Sequence, residues 1–261
     1  MASTVMTPKS SAGYMVSSAA QRRPRTPYGL APEDCQHCQA TPPETSFCDL
    51  SPRAAHSLGA IRRTSSYPAG AILFMEGEQA RGVYIVCQGR VKLLTTNSDG
   101  KTLIFKIAKP GEILGLNATL SGTPHEITAE TLQPTQLAYV GREDFLKFIR
   151  ENGDACLQVA QHLGRDCHSA YEVIRSIGLS NSVEEKLARF LLDWSSGGQE
   201  TNMGLKVKLA LTHEEIAQLI GCSRESVSRS FSDFKRKHLV EVNGATLVVQ
   251  NKEALETLAA M

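Results

Sequence analysis

The chain has no run of apolar residues long enough to span a bilayer, so a membrane-spanning protein is not expected. Its N-terminus lacks the hydrophobic stretch of a secretory signal, and a cytoplasmic protein is the expectation. Neither sign of charge dominates: 28 Lys and Arg stand against 27 Asp and Glu, a formal net charge of +1. That balance excludes a globally basic nucleic-acid coat, and any affinity for a polyanion must come from local clustering. No thioredoxin-like strand–helix–strand setting surrounds the cysteines, and no acid–base constellation stands out, so an enzyme is not expected. What is present is 41% apolar residues, enough for packed cores, in a chain whose 261 residues suggest two domains.

The most informative stretch is Leu211 to Leu239, LTHEEIAQLIGCSRESVSRSFSDFKRKHL. Thr212 and Glu215 have the spacing of a capping box, in which each satisfies an orphan N–H of the other's turn. Ile216, Leu219 and Ile220 then give a first helix one apolar face. Gly221 permits a sharp turn, and Ser223 is placed to cap a second helix. In that helix Val227, Phe231 and Phe234 recur on an inward face, while Glu225, Ser228, Arg229 and Ser232 recur on another with Arg224 beside them. Such a face suits the major groove. Arg bonds bidentately to guanine, Glu accepts from cytosine, and hydroxyls such as those of Thr212, Ser223, Ser226 and Ser228 reach base or phosphate. Lys235, Arg236 and Lys237 follow at the helix end, placed for phosphate. A solvated helical hairpin would share the pattern. Against that stands LVEVNGATLVV, whose alternation around Asn243–Gly244 predicts a type I′ hairpin; helix-turn-helix plus hairpin is a winged helix.

Residues 1–33 are rich in Ser, Ala, Thr, Pro and Arg without periodicity and read as a disordered tail. Residues 34–50 carry Cys35 and Cys38 as a C-x-x-C pair, then Cys48, with His37 and Asp49 alongside. Thiolates at this spacing converge on one ion, so a [4Fe–4S] cluster or zinc is one reading, its fourth ligand drawn from His37, Asp49, His56 or a distant Cys. Redox thiols without metal, and inert reduced cysteines, are the other two. Residues 51–150 open with a helix, Ser51 to Ile61, that turns Ala54, Leu58 and Ile61 inward. Short apolar runs separated by Gly, Pro and Asn/Asp turns follow, the texture of an all-β sandwich or barrel. Cys87, after Val83 to Val86, reads as a small buried hydrophobe.

Over residues 151–180, Cys156, Ala160, Leu163, Cys167, Ala170, Ile174 and Ile177 alternate four and three residues apart. This heptad seam predicts a helix pairing with its own copy in a parallel homodimer; burial against the β domain is the competing reading. Residues 181–261 then open with a helix from Ser182, continue through a polar loop at 195–204 and a strand at Leu205–Leu209, and lead into the winged helix.

This order resembles the Crp–Fnr family of transcription regulators, named for the cyclic AMP receptor protein and the fumarate–nitrate reduction regulator. The likeness spans residues 50–255 and is carried above all by GCSRESVSRSF (221–231) and GEILGLNATLSG (111–122). It implies an α+β chain: an N-terminal β-roll of the cyclic-nucleotide-binding jelly-roll type, a long dimerisation helix, and a C-terminal winged helix-turn-helix. It implies promoter DNA as partner, bound by a homodimer at an inverted repeat, with RNA polymerase as a further partner. Glu225, Ser228 and Arg229 match the Fnr branch's E-x-x-S-R set, which makes TTGAT-like half-sites the expectation. Arg224, Glu225 and Arg229 match the Crp branch's R-E-x-x-x-R, which makes TGTGA-like ones second. Two departures matter. The cyclic-nucleotide clamp's Glu is Leu116, and its Arg-Ser or Arg-Thr pair is His125–Glu126. Like charges about 4 Å apart repel by about 4 kcal/mol at an effective dielectric of about 20, so cyclic AMP is not expected to bind. The Cys segment is similar to that of Fnr, but its Cys38–Cys48 spacing is long, and Ala138 stands near the internal ligand position. The signal is therefore expected to be redox, oxygen, iron–sulfur or metal; a cyclic-nucleotide-responsive regulator or binding module of the same fold is the alternative.

Overall fold

The computed structural model describes residues 28–30, 46–179 and 182–260, with side chains of the long helix described up to 175. Cys35, Cys38, His37 and nearly all of the N-terminal tail lie outside the described residues.

The first unit begins with α1 (Pro52–Ile61), where the Ser51 hydroxyl accepts the Ala54 N–H at 3.3 Å and Pro52 sits where no donor is needed. Eight strands follow: β1 (Arg63–Tyr67), β2 (Ile72–Phe74), β3 (Gly82–Gln88), β4 (Val91–Thr96), β5 (Thr102–Ala108), β6 (Ile113–Leu114), β7 (Thr128–Thr131) and β8 (Thr135–Gly141), with α2 (Leu116–Ser121) between β6 and β7. They form two antiparallel sheets in the orders β1-β8-β3-β6 and β2-β7-β4-β5. One sheet face packs on the other through Phe74, Val86, Val91, Ala108, Leu114, Ala129 and Leu137. The outer face of the first sheet is covered by α1, α3 (Arg142–Glu151) and α4 (Gly153–Leu179), which bury Val83, Ile85, Ala138 and Val140 against Phe145, Phe148, Ala155 and Val159. With both faces covered, β3 and β8 read as continuous apolar runs rather than alternating ones. Gly89, at φ 91°, turns the chain from one sheet to the other, where a Cβ would collide with the Pro134–Thr135 backbone.

The second unit holds α5 (Val183–Ser195), β9 (Gln199–Thr201), β10 (Gly204–Lys208), α6 (His213–Ile220), α7 (Arg224–Arg236), β11 (Val240–Asn243), β12 (Thr246–Val249) and α8 (Lys252–Ala259). Its sheet runs β11-β12-β10-β9, so part of the stretch expected as a polar loop is an edge strand. The wing's register pairs Asn243 with Thr246, which places the two-residue loop at Gly244–Ala245, one residue beyond the expected position. Gly244 has φ 58° and Ala245 is not among the positive-φ residues, so the turn follows the II′ pattern, with glycine first, and not I′. Neither α3 nor α8 was expected from the sequence; both are short and amphipathic, and Phe145, Phe148 and Leu255 anchor them.

The two units share a core. Ile104 and Ile107 of β5 are buried in the same apolar cluster as Ile216 and Ile220 of α6. Lys92 on β4 pairs with Glu130 at 3.0 Å and with Glu215 of α6 at 3.7 Å, and Arg90 lies 4.5 Å above the Trp194 ring.

Candidate nucleic-acid interface

The local chemistry of the helix-turn-helix is as the sequence dictates. The Thr212 hydroxyl accepts the Glu215 N–H at 3.2 Å while Glu215 accepts the Thr212 N–H at 2.9 Å, closing the capping box. Gly221 takes φ 66° and ends α6, and the Ser223 hydroxyl accepts the Ser226 N–H at 3.2 Å to start α7. Val227, Phe231 and Phe234 are buried against α5 and α6. Arg224, Glu225, Arg229, Ser232, Lys235 and Lys237 are exposed along the opposite side, with Ser226 and Ser228 partly so. The helix therefore holds its apolar stripe in the core and leaves its hydrogen-bonding side open. Thr212, Ser223 and Ser226 have their hydroxyls engaged by the caps; Ser223 donates to Ser226 at 3.0 Å, and Arg229 reaches Ser226 at 3.4 Å. α7 ends in a Schellman motif: His238 N–H bonds Lys235 C=O at 3.0 Å and Leu239 N–H bonds Phe234 C=O at 2.9 Å. The left-handed position of that motif is His238, at φ 53°.

Sequence reasoning missed His213. Its Nδ1 shares a hydrogen bond with Ser228 Oγ at 2.9 Å, and its ring stacks on Phe231 with centroids 4.9 Å apart. The signal was available, since His213 opens the first helix, but only the crossing of the two helices brings it to Ser228.

α4 carries two stripes. Ala155, Val159 and His162 are buried on the protomer's own β domain, so the competing reading holds for this face. Leu163, expected in the seam, is partly buried at the edge of the inward stripe and packs on that same cluster. Cys156, Ala160, Cys167, Ala170 and Ile174 are exposed, together with Leu157 and Tyr171; Ile177 lies beyond the described side chains. At mid-helix, Lys106 of β5 reaches Glu112 at 2.9 Å and Asp166 at 3.0 Å, and His162 Nε2 lies 3.6 Å from Asp166. Burial would lower the Lys106 ammonium, but the two carboxylates outweigh it and raise it; burial lowers His162.

A cavity of about 420 Å³ opens between β2, β3 and β8, lined by residues that include Phe74, Glu78, Arg81, Tyr84, His125 and Tyr139. His125 is buried, stacked on Phe74 at 3.9 Å, and burial lowers its pKa. Burial first, then Tyr67, Tyr139 and Glu78, push the Tyr84 phenol up to about 12. Leu116 is buried, and the Asn117 side chain donates to Glu126. Arg81 and Glu78 were not singled out from the sequence, because tertiary packing alone brings them to the rim.

Cys48 is partly buried on the apolar cluster beneath α1, and Cys87 packs on the same cluster. Among the described residues, no three of His, Cys, Asp and Glu are grouped to hold a metal ion. Nor is any helix among them long and apolar enough to cross a membrane.

A jelly roll, a long helix and a winged helix with an open arginine-bearing face define a DNA-binding regulator with an attached sensor-type domain. Residues 64–152 match the family model of the cyclic nucleotide-binding domain, and residues 185–258 that of the Crp-like helix-turn-helix domain. The CRP-like cAMP-activated global transcriptional regulator of Mycobacterium tuberculosis is 25% identical over 210 residues, covering 80% of this chain and 93% of that protein. The cAMP-activated global transcriptional regulator CRP of Pasteurella multocida is 25% identical over 184 residues, 70% of this chain and 88% of the relative. The structure of FixK2 from Bradyrhizobium japonicum superposes with a TM-score of 0.69 at 24% identity, covering 77% of this chain and 98% of FixK2. A CooA mutant from Carboxydothermus hydrogenoformans does so at 0.67 and 24%, covering 77% and 88%; at this identity both show the shared fold. The chain belongs to the Crp–Fnr family: it is a DNA-binding transcription regulator and not an enzyme.

Proposed function

We propose that two copies of the chain pair along the outward stripe of α4 and set their two α7 helices in successive major grooves of an inverted repeat. The observation that carries the reading is the exposed row Cys156, Ala160, Cys167, Ala170 and Ile174, turned away from the protomer's own β domain, on the helix that precedes the DNA-binding unit. Glu225, Ser228 and Arg229 read the bases of TTGAT-like half-sites, while Lys235 and Lys237 meet phosphate. RNA polymerase is the partner through which promoter binding acts.

The signal is redox, oxygen or metal. Cys35, Cys38 and Cys48 supply thiolates for a [4Fe–4S] cluster or zinc, and Cys87, on the apolar cluster that Cys48 borders, is the candidate fourth donor. Such a group would bridge the N-terminal segment to the β domain, which packs on α4, and so bias the two copies toward one spacing of α7. The second reading, response to a cyclic nucleotide, is favoured by the cavity at Arg81 and by relatives described as cAMP-activated.

The test is a selection of bound sites from random duplexes by protein purified without oxygen, with iron, sulfide and zinc assayed alongside. An inverted repeat supports the reading; a metal-free, colourless protein with unaltered binding ends the cluster hypothesis. Calorimetry with cyclic AMP and cyclic GMP decides the second.

A further inference from the structure

We propose that His213 is a specificity-determining positioning residue, which fixes whether the Ser228 hydroxyl offers the base edge an oxygen lone pair or a proton. The inference rests on the assignment of α7 as the recognition helix. The imidazole is held at two points on a helix whose start is fixed by a cap. His213 is the first residue after the Thr212 cap, its ring lies within 10° of parallel to the buried Phe231 ring, and its Nδ1 is 2.9 Å from Ser228 Oγ. A hydroxyl has one proton to give, so what it shows to DNA depends on what it gives to the imidazole.

When Nδ1 is bare, Ser228 donates to it and its oxygen faces outward as an acceptor, suited to the amino groups of adenine or cytosine. When Nδ1 carries a proton, as it must in the imidazolium, Ser228 accepts and its own O–H is free to donate. That arrangement suits guanine N7 and O6 or thymine O4. The charge of one ring is thereby coupled to the class of base read at one position. Burial first, then Lys235 and Arg224 across on α7, hold the imidazole below its ordinary pKa. On its own helix, Glu215 is occupied by Thr212 and Lys92, and Glu214 accepts from Gln218. The free protein therefore carries neutral His213 at neutral pH. Acidification, and the phosphates of a bound duplex, favour the charged form.

The experiment is site selection with duplexes randomised through one half-site, at pH 8 and pH 6, for the full-length protein and its His213→Ala, His213→Asn and Ser228→Ala variants. Affinity for random duplex and a melting curve check that each variant is folded. Asn places an amide atom where Nδ1 lies but does not titrate. The proposal expects the wild type to change its base preference at one position between the two pH values. It expects His213→Asn to keep one preference at both, and His213→Ala to lose about tenfold discrimination at the position that Ser228→Ala also loses. It is overturned if His213→Ala keeps the wild-type preference at every position, or if the pH shift persists in His213→Asn. A wild type that selects no sequence at either pH overturns the recognition-helix assignment as well, and so separates the two failures.

Discussion

Arg229 and Lys235 sit on the same helix and carry the same charge, yet the proposed reading gives them different work. Arg229 projects from the first half of α7, among Glu225 and Ser228, where a planar fork reads a base edge. Lys235 lies in the last turn, where a point charge meets phosphate. Arg229→Ala should cost about 1–3 kcal/mol on the selected site and relax choice at one base pair. Lys235→Ala should weaken every duplex alike and reduce the slope of log affinity against log salt by about 1, measured by fluorescence anisotropy across a salt series. His238 offers a separate test. It occupies a left-handed position at the close of α7, a conformation that costs a side-chain-bearing residue about 1–2 kcal/mol and glycine almost nothing. Glycine's greater freedom in the unfolded chain returns about 0.5–1 kcal/mol of that. His238→Gly should therefore raise stability by up to about 1.5 kcal/mol in a urea titration, the difference of the two.

At the scale of the element, α4 carries the argument, because it buries one stripe under the β domain and leaves a second exposed. Ile174 is 65% exposed on the protomer, so Ile174→Asp should leave the fold intact and shift the sedimentation profile from dimer to monomer. Val159 is 5% exposed under the β domain, and Val159→Asp should unfold that domain, seen as loss of the cooperative melt. The heptad was legible in the sequence, and Cys156, Ala160, Cys167, Ala170 and Ile174 are exposed on the protomer, but the part-burial of Leu163 was not. Apolar and small residues occur on several faces of this helix, and only the position of the β domain shows that Leu163 turns inward. Elements made by local rules were legible in detail: the capping box, Gly221 and Ser223 all follow from neighbours a few residues apart. β1 was not legible, because RTSSY has little apolar signal and gains strand structure only by pairing with β8, some seventy residues away. The wing turn was misplaced by one residue because Asn-Gly suggests type I′, whereas the register puts glycine first.

Across the whole molecule, the sensor-type domain and the DNA-binding unit are joined by one apolar cluster and by charge contacts at Lys92 and Arg90. The Lys106, Glu112, Asp166 and His162 network meanwhile pins β5 to the middle of α4. A change in the β domain therefore has physical routes to both α4 and α6. Buried histidines give this architecture a pH dependence. His125 and His162 are held below the ordinary 6.5 in the folded protein, chiefly by burial. As pH falls through 6.5 the unfolded chain takes up protons that the folded chain refuses. The stability present above that pH is then lost progressively toward the folded values. Urea midpoints should fall between pH 7.5 and pH 5.5, and His162→Gln should flatten the decline. The most direct test of the account compares two duplexes at one salt concentration, one with the selected inverted repeat and one with half of it scrambled. Two chains should bind the repeat together, and scrambling one half should weaken binding by about 100-fold or more. One chain per duplex, with equal affinity for both and for random competitor, would contradict it.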